Sequence, residues 1–186
     1  MNINKFKAAL DGKMRPNRYL VSGEVPGFGP IDPVLVKAAQ YPAASIGIIQ
    51  LPYRGRIAKM PGDRAYPEWT FSVYDTKPTE NNATGDLRQA FETWNKRFND
   101  HTTNLAEISN FGGGAGDGDA DANFPDWTVT LLDTQGVEVR TIRLKSCWPV
   151  EVGAIDLTYD AADTLTEYTV TLAFDYLEVG ATRGSA

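Results

Sequence analysis

The densest set of possible ligand atoms in this 186-residue chain is the run Asp117, Asp119, Asp121 and Asn123. Oxygen-bearing side chains at alternate positions suit a calcium loop, which also needs a glycine at its sixth position and a carboxylate at its twelfth. Counted from Asp117, those positions hold Ala122 and Thr128, so the run reads as a solvated acidic loop and at best a weak calcium site. The glycines just before it, in FGGGAGDG, have neither a Gly-Lys-Ser/Thr ending nor complete G-x-G-x-x-G spacing and do not make a phosphate loop. His101 is the only histidine and Cys147 the only cysteine, which excludes multi-histidine metal sites and an internal disulfide framework. His101 follows a predicted helix, where a cation suits the negative end of the dipole. Cys147, between Ser146 and Trp148, reads as a small core residue. No G-x-S-x-G occurs, and Asp160 and Asp163 border a turn. The residues nominate no catalytic group and no cofactor, so an enzyme is not expected.

Composition narrows the remaining classes. Hydrophobic residues make up 42% and charged residues 23%, close to a soluble globular average. The length fits one domain, able to bury roughly 70% of its unfolded surface. The longest uncharged apolar stretch, Ala43 to Leu51, is far short of the about 20 residues of a spanning helix, so no membrane insertion is expected. Lys and Arg number 18 against 24 Asp and Glu, a formal charge of −6 that argues against gripping nucleic-acid phosphates. The opening MNINKFKAALDGKMRP has no apolar signal core, and signal-dependent secretion is not expected.

Stepping along the chain, Ile3, Phe6 and Leu10 predict one or two helical turns packed on the body, up to about residue 15. Asn17 to Val25 reads as a first strand, and Val34 to Ala39 as a short apolar piece. Trp69 to Asp75 predicts a strand with Trp69, Phe71 and Val73 on one face. Leu87, Ala90, Phe91, Trp94 and Phe98 recur at helical spacing, which predicts an amphipathic helix ending at Asn99. Thr84 or Asp86 would cap it and Glu92 would pair with Lys96. Phe111 to Asn123 reads as a surface loop. Strands resume at Trp127 to Asp133 and at Val137 to Trp148. In the second of these the apolar parity switches, which predicts a bulge near Arg140-Thr141. Ala154 to Tyr159 and Glu167 to Val179 read as a last strand pair, and residues 180–186 as a frayed tail. The prediction is a mainly β domain with one inserted helix.

One segment exceeds what a small domain needs. Ser45 to Lys59 predicts a wide hairpin or flap about Leu51 to Gly55, with Met60 to Arg64 as the turn that follows. Its residues Ile46, Ile48, Ile49, Leu51, Tyr53 and Ile57 outnumber what one hairpin buries on itself. Such an arm needs a surface to lean on, either its own domain or a neighbour, and unblocked edges pair with other chains. Either the arm and the strand edges cover each other within the monomer, or the chain self-assembles in order, with a ring closing its edges by symmetry.

Several strings, in order, resemble the tail tube family of contractile-tailed, T4-like bacteriophages. They are MRPNRYLV at Met14 to Val21, PGDRAYPEWTFSVYD at Pro61 to Asp75, DLRQAFETW at Asp86 to Trp94, CWPVEVGAIDLTYD at Cys147 to Asp160 and EYTVTLAFDYLE at Glu167 to Glu178. The 111–123 loop has no counterpart in that pattern. The resemblance implies a β-sandwich or barrel subunit forming sixfold rings that stack into a hollow tube inside a sheath. It implies that the arm, through Ile46, Ile48, Ile49, Leu51, Tyr53, Arg54, Arg56 and Ile57, contacts the neighbouring ring or subunit. It also implies the sheath, baseplate and tail terminator as partners, assembly in the host cytoplasm, a place in the virion tail, and DNA as cargo that is conducted, not bound. An acidic lumen would then keep a duplex from sticking. The tube of a phage-like bacteriocin or type VI secretion system shares this description. A rival of another class is a secreted carbohydrate- or calcium-binding β-sandwich using Trp69, Trp127 or Tyr159 with Asp117 to Asn123; the missing signal core counts against it.

Overall fold

In the computed structural model, residues 3–9, 14–76, 86–106, 123–160 and 163–180 are described. Helix α1 (Ile3–Ala9) precedes β1 (Tyr19–Ser22), β2 (Glu24–Val25), β3 (Gly29–Pro30), a 3-10 turn at Pro33–Leu35 and β4 (Val36–Ala39). The long strands β5 (Ser45–Tyr53) and β6 (Arg56–Ala65) follow, then β7 (Trp69–Tyr74) and helix α2 (Leu87–Phe98). The chain closes with β8 (Trp127–Leu132), β9 (Glu138–Lys145), β10 (Trp148–Val152), β11 (Glu167–Ala173) and β12 (Tyr176–Val179).

Two antiparallel four-stranded sheets, ordered β1-β8-β9-β12 and β10-β11-β7-β4, face each other as a sandwich. Strict alternation makes this possible: Trp69, Phe71 and Val73 of β7 and Tyr168, Val170 and Leu172 of β11 point inward from paired positions. They meet Trp127, Val129, Ile142 and Leu144 from the other sheet. Trp127 touches Trp69, Phe71 and Phe91, with ring centroids 6.0, 5.1 and 6.3 Å apart. Helix α2 covers this aromatic centre with Leu87, Phe91 and Trp94. Asp86 caps it by accepting the Arg88 N–H at 2.9 Å. Arg88 and Asn95 tie it down by donating to the carbonyls of Gly153 and Pro149, both at 3.0 Å.

The mainly β sandwich, its inserted helix and the facing of β7 match the expectations; several boundaries do not. Asn17 to Val25 splits at Gly23, whose neighbour across the sheet is the Trp127 ring. The parity switch in β9 is relieved at Val139, one residue before the predicted bulge, where Leu131 and Leu132 face Arg140 and Glu138. That strand stops at Lys145, because Ser146 adopts a left-handed φ of 57° and turns the chain into the other sheet. Ala154 to Tyr159 is not a strand; β11 takes β10 as its partner instead. Glu167 to Val179 serves two sheets, crossing between them at Phe174-Asp175, and its inward parity shifts there: Phe174 is buried, Tyr176 is exposed and Leu177 packs on the core. Met60 to Arg64 is strand, not turn, so the hairpin is longer than expected. Glu92 pairs with Arg88, and Lys96 with Asp100. The α1 helix forms, yet Ile3 and Phe6 are exposed and do not pack on the body. Leu10 and Thr84 lie outside the described residues.

Candidate functional site

Among the described residues, the ribbon β5–β6 is left without cover inside the subunit. Every residue of β5 is exposed, as is every residue of β6 apart from the half-buried Gly62. Its register sets the two faces. Ile49, Leu51 and Tyr53 lie opposite Met60, Ala58 and Arg56, whereas Ile48, Gln50 and Pro52 lie opposite Pro61, Lys59 and Ile57. Side chains alternate across a strand, so these sets occupy opposite faces and both are largely apolar. An antiparallel ribbon leaning on its own domain would show one apolar and one polar face. In this one both faces are apolar and exposed.

Local geometry stiffens it. Between Ile46 and Ile48 the register shifts by one residue, and Gly62 there approaches Gly47 so closely that a Cβ would sit 3.2 Å from the Gly47 carbonyl. Bulges of this kind bend and twist a ribbon. At the tip, Arg54 and Gly55 both have positive φ, 45° and 79°, the two-residue turn that matches strand twist. The Arg54 guanidinium stands over the Tyr53 ring, 5.6 Å from its centroid. Ile46, Ile48, Ile49, Leu51, Tyr53 and Ile57 are thus displayed together with Arg54 and Arg56. Met60 joins them, hidden from sequence reasoning by the turn assigned there.

The other nominated residues fall elsewhere. Asp117, Asp119 and Asp121 lie outside the described residues, and among those described no set of three His, Cys, Asp or Glu side chains is placed to hold a metal. Trp69 and Trp127 are buried in the core, so neither can stack on a sugar; Tyr159 is fully exposed. Cys147 is buried, and burial pushes its thiol pKa up to about 12. His101 is exposed, 3.8 Å from Asp100. Leu157 and Leu165 are also exposed, as is Tyr159, all in irregular chain without the periodicity that marks a helix or strand. On the sheets, Lys37 pairs with Glu167, Lys145 pairs with Asp126, and Arg143 sits opposite Glu178.

Comparison with known proteins gives this architecture its kin. The tail tube protein of Serratia phage KSP90 is 25% identical over 184 residues, covering 92% of this chain and 93% of that protein. Tail tube protein gp19 of Enterobacteria phage T4 is 26% identical over 166 residues, covering 88% and 90%. A chain of the extended sheath-tube complex of the extracellular contractile injection system PVC shares the fold, with a TM-score of 0.61 at 14% identity over 95% of this chain and 97% of that one. So does a chain of the 6-fold symmetrised baseplate of the anti-feeding prophage, at 0.62 and 12% over 89% and 94%. The family model for T4-like virus tail tube protein gp19 matches residues 53–178, which run from the arm tip through α2 and both sheets. By that match, the chain belongs to the T4-like virus tail tube protein family.

Proposed function

We propose that this chain is the repeating, non-enzymatic subunit of the inner tube of a contractile phage tail. Six copies close into a ring, rings stack, and the β5–β6 arm of each copy is gripped by neighbouring copies. The observation that carries this is the arm itself, a long ribbon with two apolar faces and no cover from its own subunit among the described residues. A monomer gains nothing from such a surface, whereas an assembly buries it. Sixfold closure draws support from the related fold in a 6-fold symmetrised baseplate.

The sheath, baseplate and terminator are the expected partners, and assembly takes place in the host cytoplasm before the tube is part of the virion. DNA is cargo. Cations on the sheet faces that already have carboxylate neighbours, such as Lys37 and Lys145, leave little to neutralise phosphates and slow a passing duplex. The same subunit would serve an injection tube without a genome, but the curated relatives above are phage proteins, which favours the genome-conducting tube. Electron microscopy of the concentrated protein tests the reading. Rings or hollow tubes are expected; a monomer at every concentration would reject it.

A further inference from the structure

The arm needs a seat, and the same chain displays a surface of complementary chemistry. Between Lys145 and Arg183 there is no lysine or arginine, only seven carboxylates. The arm, Ser45–Ala65, has the reverse balance, with Arg54, Arg56, Lys59 and Arg64 against Asp63 alone. Among the described residues, none of those four cations forms an ion pair, and neither do Asp156, Asp160 and Asp163. Both surfaces therefore hold unspent charge of opposite sign.

Shape and polarity agree. Residues 154–158 and 164–167 frame a groove of about 480 Å³ whose lining includes Ser72 and Thr169, a register pair on the outer face of β7 and β11. Such a volume lies in the range that encloses a small ligand or a few side chains. Leu157 and Leu165 line it while 87% and 75% exposed, and Tyr159 stands near it in the chain, fully exposed. The groove is not filled by its own arm, since Tyr53 is 64% exposed.

We propose that this groove receives the arm tip of a second copy, with Tyr53 against Leu157 and Leu165 and with Arg54 and Arg56 facing Asp156 and Asp160. The inference rests on the tube reading and adds the seat that the arm occupies. Apolar contact supplies the buried area, and opposite charge sets register and speeds encounter.

Charge reversal tests it. Arg54→Glu with Arg56→Glu, or Asp156→Arg with Asp160→Arg, should each raise the concentration needed for assembly by about ten-fold or more, equivalent to about 1.4 kcal/mol. All four changes in one chain should restore assembly. Independently, Arg54→Cys chains mixed with Asp156→Cys chains should form a disulfide-linked dimer within the assembled material, with buried Cys147 not competing. If the arm variants fail to assemble but the Asp156/Asp160 variant assembles as wild type and no cross-link forms, the groove is not the seat and the tube reading stands. If the arm variants assemble normally, the arm tip is not the contact and this proposal falls while the tube reading stands; if the unmodified chain never assembles, the tube reading falls and this proposal with it.

Discussion

Gly23 lies under the indole of Trp127, so close that a Cβ on Gly23 would overlap the ring. Trp127 is the residue on which Trp69, Phe71 and Phe91 converge, and its position depends on the missing side chain across the strand. Gly23→Ala should therefore lower stability by about 1–3 kcal/mol, the usual cost of overpacking a rigid core. Thermal unfolding measures this as a melting point lowered by several degrees. An unchanged melting point would mean that the β1–β2 junction yields freely.

The arm should be separable from the core. Ile48→Asp or Tyr53→Asp alters residues exposed within the subunit and should leave the melting temperature within about 1 °C of wild type, since surface changes are usually small. Ring stacking should be lost in electron micrographs. Normal tubes from either variant would remove the arm from the interface.

Asp75 gives the fold a pH dependence of known sign. Its carboxyl is held above the ordinary carboxylate range, chiefly by burial and then by the nearby Asp86 carboxylate, while Arg88 opposes the shift. A carboxyl raised on folding stabilises fully below its ordinary value of 3.8 and loses that contribution as pH rises through the folded value. Asp75→Asn should accordingly raise the melting temperature at pH 7 to 8, with the gain fading toward pH 4. Melting curves across that range decide the matter; a gain that grows toward low pH would contradict the sign.

Cys147 should be inert while the protein is folded. Its thiol is buried, donates to the Leu144 carbonyl at 3.5 Å and has its pKa pushed up to about 12, so little thiolate exists at pH 8. Maleimide labelling should be negligible in native buffer and complete in denaturant. Fast native labelling would show that the end of β9 opens readily.

What could be read locally was read from one-sided burial. Helix α2 carries its apolar stripe and its Asp86 cap within thirteen consecutive residues, and β7 shows its inner face as Trp69, Phe71 and Val73. The surplus of apolar residues from Ile46 to Ile57 is equally plain in the sequence, which calls for a covering surface without saying whether that surface is its own domain or a neighbour. Tertiary structure alone decided the rest. Apolar residues alternate in the sequence from Tyr168 to Tyr176, yet Tyr176 is exposed and Leu177 packs on the core, so nothing local records that the parity flips where β11 gives way to β12 in the other sheet. Met60 to Arg64 looks like a turn, with Pro61, Gly62 and Asp63, until a partner strand places Gly62 at a bulge against Gly47. The acidic groove joins Ser72 to residues some 80 positions away, so neither its shape nor its match to the arm exists until the sheets are paired. Periodicity reports which way a residue faces; it cannot report what will stand opposite.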